Sequence, residues 1–142
     1  MEKIIIGIAG RIASGKDTVA NYIVKKYNAK SLKFSQSLRD VLARLYQDIS
    51  RDNMQKISLL LRQMFGEDTL AKVIYNDILN SKEDIIVITG VRRIADIEML
   101  KNTNGFKLFF IDTNIETRYE RLIQRNENID DRNKTFEEFE KQ

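Results

Sequence analysis

A glycine-rich stretch near the N-terminus, GRIASGKDT, carries the residue types of a phosphate-binding loop. Gly10, Gly15 and Lys16 match the spacing G-x-x-x-x-G-K, in which glycines let successive backbone N–H groups turn toward an anion. A lysine at this position can reach the β- and γ-phosphates of a nucleoside triphosphate. The stretch therefore predicts a nucleotide-binding loop. Its expected members are Gly10, Ala13, Ser14, Gly15, Lys16, Asp17 and Thr18.

Asp17 stands where this pattern usually has a serine or threonine hydroxyl that binds Mg²⁺. A carboxylate can take that role, because magnesium prefers hard oxygen ligands and often takes one or two carboxylates. Its negative charge would help beside phosphates only with a metal between them. The other interpretation is that Asp17 stabilises the first turn of a helix, and the two roles are compatible. We expect Asp17 to bind the metal, directly or through water, and Thr18 to offer its hydroxyl on the α-phosphate side.

Short apolar runs alternate with segments in which apolar residues recur at helical spacing. This alternation predicts a single α/β domain over residues 1–142, a three-layer α/β/α sandwich with a parallel sheet and crossover helices. The expected strands are 3–9, 30–34, 84–90 and 106–112. The expected helices are 17–27, 37–49, 54–65, 69–81, 94–101 and 115–126, and a last one begins at 135.

The composition excludes several kinds of chemistry. The chain has no Cys and no His, which rules out disulfides, thiolate or imidazole metal sites and imidazole acid–base catalysis. Lys and Arg number 24 against 21 for Asp and Glu, and this net charge of +3 makes a nucleic-acid partner a poor expectation. No apolar run reaches the length of a membrane span and no signal peptide is evident, so a cytoplasmic protein without a membrane partner is expected.

Arginines cluster at two further places. TGVRR, at 89–93, follows the third expected strand, and ligands of parallel sheets gather at the carboxyl ends of strands. The alternative is a solvated turn. RYERLIQR places Arg118, Arg121 and Arg125 at spacings that share one helix face, where nearby glutamates are available as surface partners.

Four stretches follow one another in the order found in small P-loop nucleotide kinases. They are GRIASGKDT, FSQSLRDVL, VITGVRRIADIEML, and ETRYERLIQR with the later DD and TFEEF. Over nearly the whole chain they resemble archaeal adenylate-kinase-related and dephospho-CoA-kinase-like proteins, and more distantly phage-type deoxynucleoside monophosphate kinases. The resemblance implies the P-loop NTPase fold, ATP and Mg²⁺ as cofactors, and a small-molecule nucleotide as the phosphate acceptor.

The resemblance also implies roles for the arginines on the acceptor side. Arg39 and Arg92 correspond to arginines that hold the acceptor phosphate, which a guanidinium can grip with two hydrogen bonds. Arg93 corresponds less consistently, and Arg39 could instead be an ordinary exposed helix residue. The acceptor-binding part is expected to be the helical segment of about 35–81, whose selectivity no motif reveals.

On the donor side, the resemblance implies a lid-like segment of about 118–134. Its Arg121 and Arg125 would cover ATP, one stacking on adenine and the other contacting phosphates, while Arg132 would complete the site on closure. The residues expected to carry catalysis are Lys16, Asp17, Arg92, Arg121 and Arg125.

Two positions depart from the family pattern, because Gln36 and Thr89 stand where acidic residues are usual. Asp17 could replace one of these carboxylates. The expected activity is therefore an ATP-dependent phosphotransferase acting on a nucleotide, with a dephospho-CoA kinase-like enzyme or a nucleotide-binding regulator as alternatives. The family pattern also continues beyond TFEEF into a helix, a strand and a further helix, which suggests a truncated chain or a compensating oligomer such as a homodimer.

Overall fold

The computed structural model describes residues 3–11, 13–125 and 136–140. Within these ranges no helix has the length and apolarity that crossing a membrane requires. The strands are β1 (Ile4–Gly10), β2 (Lys30–Lys33), β3 (Ile85–Thr89) and β4 (Phe106–Ile111). The helices are α1 (Lys16–Tyr27), α2 (Gln36–Arg44), α3 (Arg51–Phe65), α4 (Thr69–Asn80), α5 (Ile94–Ile97), α6 (Ile115–Arg125) and α7 (Phe136–Glu140).

The four strands form one parallel sheet in the order β2-β3-β1-β4. Parallel strands need crossover connections, which the intervening helices supply. Because all the strands run the same way, their carboxyl ends meet at one edge of the sheet. That edge brings together Gly10, Lys33, Thr89 and Ile111, the last residues of β1, β2, β3 and β4.

The core lies on both faces of the sheet. Ile86, Val87 and Ile88 of β3 are fully buried, and successive side chains of a strand point to opposite faces. Ile86 and Ile88 belong to the cluster formed with α2, α3 and α4, whereas Val87 packs with Ala20 of α1. A strand covered on both faces is apolar throughout, as this one is. The predicted three-layer sandwich with a parallel sheet is therefore confirmed.

The helix α2 ends earlier than the sequence pattern predicted. It was expected to reach Ile49 but ends at Arg44, because Tyr46 adopts a left-handed φ of 58°. The backbone N–H of Gln47 then donates to the carbonyl oxygen of Leu42 at 2.9 Å, and the backbone N–H of Tyr46 donates to the carbonyl oxygen of Ala43. These two bonds are the usual way in which a helix satisfies its last carbonyl groups, here with tyrosine in the place of glycine.

The helix expected over 94–101 is also shorter. The helix α5 ends at Ile97. The backbone N–H groups of Leu100 and Lys101 both donate to the carbonyl oxygen of Ile97, and the chain continues in turns. Leu100 is nevertheless buried in the core. The apolar spacing therefore predicted the burial of Leu100 correctly, although the backbone at this residue is not helical.

Ile88 and Ile94 form a matched pair for testing this core. Replacing Ile88 with alanine is expected to lower the free energy of unfolding by about 2–5 kcal/mol, because a cavity remains in the packed interior. Ile94 is 72% exposed, and its replacement should cost less than about 0.5 kcal/mol. Urea unfolding followed by circular dichroism measures both values. Equal losses would contradict the central position of β3.

Candidate functional site

The loop between β1 and α1 curves tightly, and its curvature depends on Gly10. A Cβ atom on Gly10 would stand 2.5 Å from the hydroxyl oxygen of Ser14 and 2.7 Å from the carbonyl oxygen of Ile111. Neither distance leaves room for a carbon atom. Gly15 has a φ of 105°, which glycine adopts at little cost, and Ala13 also has a positive φ, 61°. The structure thus gives a physical reason for both glycines of the motif.

Helix α6 and the turn before it hold this loop from the outside. The hydroxyl of Thr113 donates to the carbonyl oxygen of Ser14 at 2.7 Å, and fully buried Leu122 packs against Ala13. The guanidinium of Arg121 donates to the carbonyl oxygen of Ala13 at 3.4 Å. It also lies 3.2 Å from the place where a Cβ on Gly15 would be. Arg121 therefore puts a positive charge directly on the phosphate-binding loop.

Lys16 and Asp17 begin α1 and lie at the carboxyl edge of the sheet. The ammonium group of Lys16 donates to the carbonyl oxygen of Gly10 at 3.3 Å, so this lysine folds back over its own loop. Asp17 Oδ2 lies 4.0 Å from Lys33 Nζ at the end of β2. Thr18 is exposed and does not line the cavity beside the loop.

A cavity of about 270 Å³ opens beside the first turn of α1. Among the residues that the structure describes, its lining is strongly basic, with seven cationic residues against two carboxylates. The cations are Lys16, Lys33, Arg39, Arg51, Arg62, Arg92 and Arg93, and the carboxylates are Asp17 and Asp96. The apolar part of the wall consists of Phe34, Leu38, Met54 and Leu70. The cavity therefore joins a phosphate-binding loop to a basic surface with one apolar side.

The turn after β3 is fixed by buried Asp96. Its Oδ2 accepts hydrogen bonds from the backbone N–H groups of Arg92 and Arg93, both at 3.0 Å. Gly90 has a φ of 87° and lies against Phe34, where a Cβ would come within 3.5 Å. This packing brings the side chain of Arg92 to the cavity, as the strand-end argument predicted.

Arg93 serves a different purpose from Arg92, although both line the cavity. Its guanidinium binds Glu67 Oε2 at 2.8 Å and Asp96 Oδ1 at 3.4 Å. Arg62 binds the same Glu67 oxygen at 3.2 Å. Their hydrogen bonds, that of Arg93 first, hold the pKa of the Glu67 carboxyl below its ordinary value. The three side chains thereby tie the loop between α3 and α4 to the end of β3.

Arg118 and Arg121 of α6 differ in burial and in their hydrogen-bond partners. Arg118 is buried, and its Nε donates to the carbonyl oxygen of Thr113 at 3.2 Å. It therefore supports the turn that holds the phosphate-binding loop. Arg121 contacts the loop itself. The side chain of Arg125, Arg132 and most of the expected lid lie outside the described residues.

The two positions that lack the usual acid have different surroundings. Thr89 is buried and lines the cavity. Gln36 is exposed, and its amide donates to Asp40 Oδ1 at 2.8 Å. Among the described residues, no group of three or more acidic, His or Cys side chains could hold a metal ion. Asp17 is thus the candidate ligand, with any remaining positions left to phosphate oxygens and water, an arrangement that suits Mg²⁺.

The structure adds three cations that the sequence reasoning missed: Lys33, Arg51 and Arg62. Lys33 ends β2, so the same strand-end rule that singled out Arg92 could have found it. Arg51 and Arg62 lie on α3, and no local signal distinguishes them from ordinary exposed helix residues.

Comparison with known proteins agrees with this geometry. The family described as an AAA domain matches residues 9–139. The chain belongs to the AAA domain family. The match begins at the end of β1 and continues into α7, so it includes the phosphate-binding loop, the cavity and α6 of this AAA domain.

Individual relatives are distant. A UPF0200 protein of Staphylothermus marinus is 28% identical over 126 residues, which are 89% of this chain and 66% of that protein. A solved structure from Chloroflexus aurantiacus has a TM-score of 0.65 at 15% identity, covering 97% of this chain and 73% of that one. Shikimate kinase from Bacteroides thetaiotaomicron has a TM-score of 0.53 at 17% identity, covering 96% and 72%. The chain thus spans about two thirds of the length of the Staphylothermus marinus protein.

These comparisons confirm the predicted α/β P-loop NTPase fold, which resembles the folds of solved kinase structures. At such low identities, the similarity to the solved structures shows the fold alone. The acceptor, the metal and the roles of individual residues stay predictions.

The Glu67 bridge gives the site a pH-dependent element of stability. A carboxylate with a lowered folded-state pKa stabilises the fold above its unfolded-state pKa, and this contribution disappears as pH falls through the folded-state value. Glu67→Gln should therefore destabilise the chain at neutral pH. Its difference from the unsubstituted chain should shrink as the pH falls below 4.5, the ordinary pKa of this carboxyl group.

Urea midpoints between about pH 7 and pH 3 measure this difference. Glu120→Gln, at an exposed position of α6, is the matched control and should show little change at neutral pH. A Glu67→Gln difference that grows on acidification would contradict the bridge.

Proposed function

We propose that this chain is an ATP-dependent phosphotransferase that acts on a nucleotide, most simply a nucleoside or deoxynucleoside monophosphate. The observation that carries the proposal is the meeting of two features at Lys16 and Asp17. One is a phosphate-binding loop, and the other is a basic cavity with one apolar wall. Phosphoryl transfer depends mainly on positioning and on stabilising negative charge, and this junction provides for both.

The residues present fit ATP and magnesium. Of the residues that the structure describes, Arg121 alone comes within 4 Å of the position that a Cβ on Gly15 would occupy, and it brings a cation to the loop surface. The start of α1 adds backbone N–H groups and the positive end of a helix dipole. Lys16 would contact the phosphates and Asp17 the metal. Bound ATP would supply the phosphoryl group, and Mg²⁺ would offset the charge of its phosphates.

The charge balance of the cavity favours a phosphate acceptor. A hydroxyl acceptor benefits from a general base, whereas a phosphate oxygen is already deprotonated near neutral pH. Of the two lining carboxylates, Asp96 is engaged with backbone N–H groups. Asp17 is the remaining candidate base, and its position suits a metal. A dephospho-CoA kinase-like reaction, with a sugar hydroxyl as the acceptor, is therefore the weaker alternative.

The apolar wall favours a nucleotide among phosphate-bearing acceptors. Phe34, Leu38 and Met54 come from the expected acceptor segment, and they could cover the face of a base. Arg39 and Arg92 line the same cavity and could hold the acceptor phosphate. Arg121 would meet the donor from the side of α6.

A nucleotide-binding regulator without transfer activity is the second candidate. The specific observation in its favour is the pair of neutral residues at Thr89 and Gln36, because carboxylates at these positions would help to hold a metal or orient an acceptor. Loss of one such carboxylate slows phosphoryl transfer without removing the positioning on which most of the rate depends.

An ATP-consumption assay with Mg²⁺ tests the proposal. The acceptors offered are AMP, CMP, GMP, UMP, the deoxynucleotides including dTMP, and dephospho-CoA. We expect turnover with at least one monophosphate, and a fall in kcat of about 100-fold in Asp17→Ala, because the candidate ligand of the charge-stabilising Mg²⁺ is lost. Asp52→Ala, at an exposed position of α3, is the matched control and should keep full activity.

The other outcomes separate the candidates. Turnover with dephospho-CoA alone would replace the proposal with the hydroxyl-acceptor reaction. Tight binding of Mg-ATP in calorimetry, without turnover of any acceptor, would replace it with the regulator.

Arg39 and Arg92 yield a separate prediction about the acceptor. Replacing either with alanine should raise the KM for the acceptor by about 10- to 100-fold, because a charge-assisted contact to phosphate is lost. The KM for ATP should change less than about threefold. Arg44→Ala is the control, since Arg44 is exposed on the same helix as Arg39. Equal effects on both KM values would contradict the binding of the acceptor phosphate by these arginines.

A further inference from the structure

Lys33 stands at the centre of the junction between loop and cavity. It is the last residue of β2 and pairs in register with Thr89 of β3. Its ammonium group lies 4.0 Å from Asp17 Oδ2, and the two side chains are 31% and 38% exposed. The pair is thus partly shielded from water. At this distance the two groups attract each other without a short hydrogen bond that would lock the geometry.

The chemistry of Asp17 explains why a cation belongs there. Asp17 follows Lys16 in the first turn of α1 and lines the same cavity, so its carboxylate brings a negative charge close to the region where a triphosphate would lie. Without a metal, this charge opposes nucleotide binding. Lys33 is the cation that the structure places against it, and it lines the same cavity as Lys16.

The residue beside Lys33 in the sheet adds no negative charge to this region. Thr89, beside Lys33 in the sheet, is a buried neutral residue. Asp96, the other lining carboxylate, accepts from two backbone N–H groups and from Arg93. Asp17 is therefore a carboxylate that Lys33 balances in the nucleotide-free protein.

We propose that Lys33 is a phosphate-binding residue that neutralises Asp17 in the nucleotide-free protein and contacts a donor phosphate in the nucleotide-bound protein. The inference rests on the proposed function for the identity of the donor, ATP. It goes beyond that function by assigning Lys33 to the phosphate site and by explaining how the loop accommodates an acidic residue. It also predicts that Lys33 matters most when no metal is present.

Isothermal titration calorimetry with ATP, in excess EDTA and then in Mg²⁺, tests this role without relying on transfer activity. Lys33→Gln should raise the metal-free Kd about tenfold, because a cation is lost and Asp17 is left unbalanced. The loss should be smaller in Mg²⁺, which can neutralise Asp17 itself. Lys33→Arg, which keeps the charge, should bind nearly as the unsubstituted chain does.

Two further variants make the result specific. Lys30→Gln removes the same charge from the other end of β2, where the side chain is exposed and does not line the cavity, and it should change Kd less than about twofold. Asp17→Asn should tighten metal-free binding. Combined with Lys33→Gln, it should recover much of the lost affinity, because the charge that Lys33 balances is gone. The tighter metal-free binding expected of Asp17→Asn does not depend on whether Lys33→Gln alone is well folded.

The outcomes distinguish this inference from the proposed function. Equal metal-free Kd values for Lys33→Gln and Lys30→Gln would overturn the role of Lys33, even with transfer activity intact. The expected pattern of Kd values without transfer to any acceptor would support Lys33 and overturn the phosphotransferase. Failure of the unsubstituted chain to bind ATP under either condition would overturn both.

Discussion

The close approach of three backbone segments at Gly10 is the constraint on which the site depends. The carbonyl oxygen of Ile111 and the hydroxyl of Ser14 fill the space that any side chain at Gly10 would need. The end of the central strand can therefore turn directly into the loop, and the loop into α1. This turn places Lys16 and Asp17 at the edge of the sheet where the other strands also end. Helix α6 then holds the loop from outside through Leu122 and Arg121.

The second organising feature is an excess of positive charge in one cavity, where carboxylates hold several of the cationic side chains in position. Seven cationic residues of the described part of the chain line this cavity. Glu67 joins Arg62 to Arg93, and Asp96 holds the turn that carries Arg92. Groups positioned before the ligand arrives need little reorganisation to bind an anion. The apolar residues in the same lining give the cavity a mixed character that suits the proposed nucleotide acceptor.

Much of this architecture could be predicted from the sequence. The order of strands and helices, the buried β3 and the phosphate-binding loop all follow from apolar periodicity and from the spacing of Gly10, Gly15 and Lys16. The helix ends were less predictable, because a left-handed tyrosine at Tyr46 ends α2 without the usual glycine. Arg118 and Arg121 look equivalent on a helix wheel. Only the neighbouring turn shows that the first is buried against Thr113 and the second lies on the loop.

By itself, the sequence determined that a P-loop would follow the first strand, because the glycine spacing and lysine of that loop are local and its chemistry is backbone chemistry. It also determined the layers of the fold, because burial on one or both faces leaves a periodic pattern. Only the tertiary structure decided which cations share a cavity, that Glu67 engages Arg93, and that Lys33 faces Asp17. Those pairings join residues far apart in the chain, and side-chain charge carries no periodicity that reveals its partner.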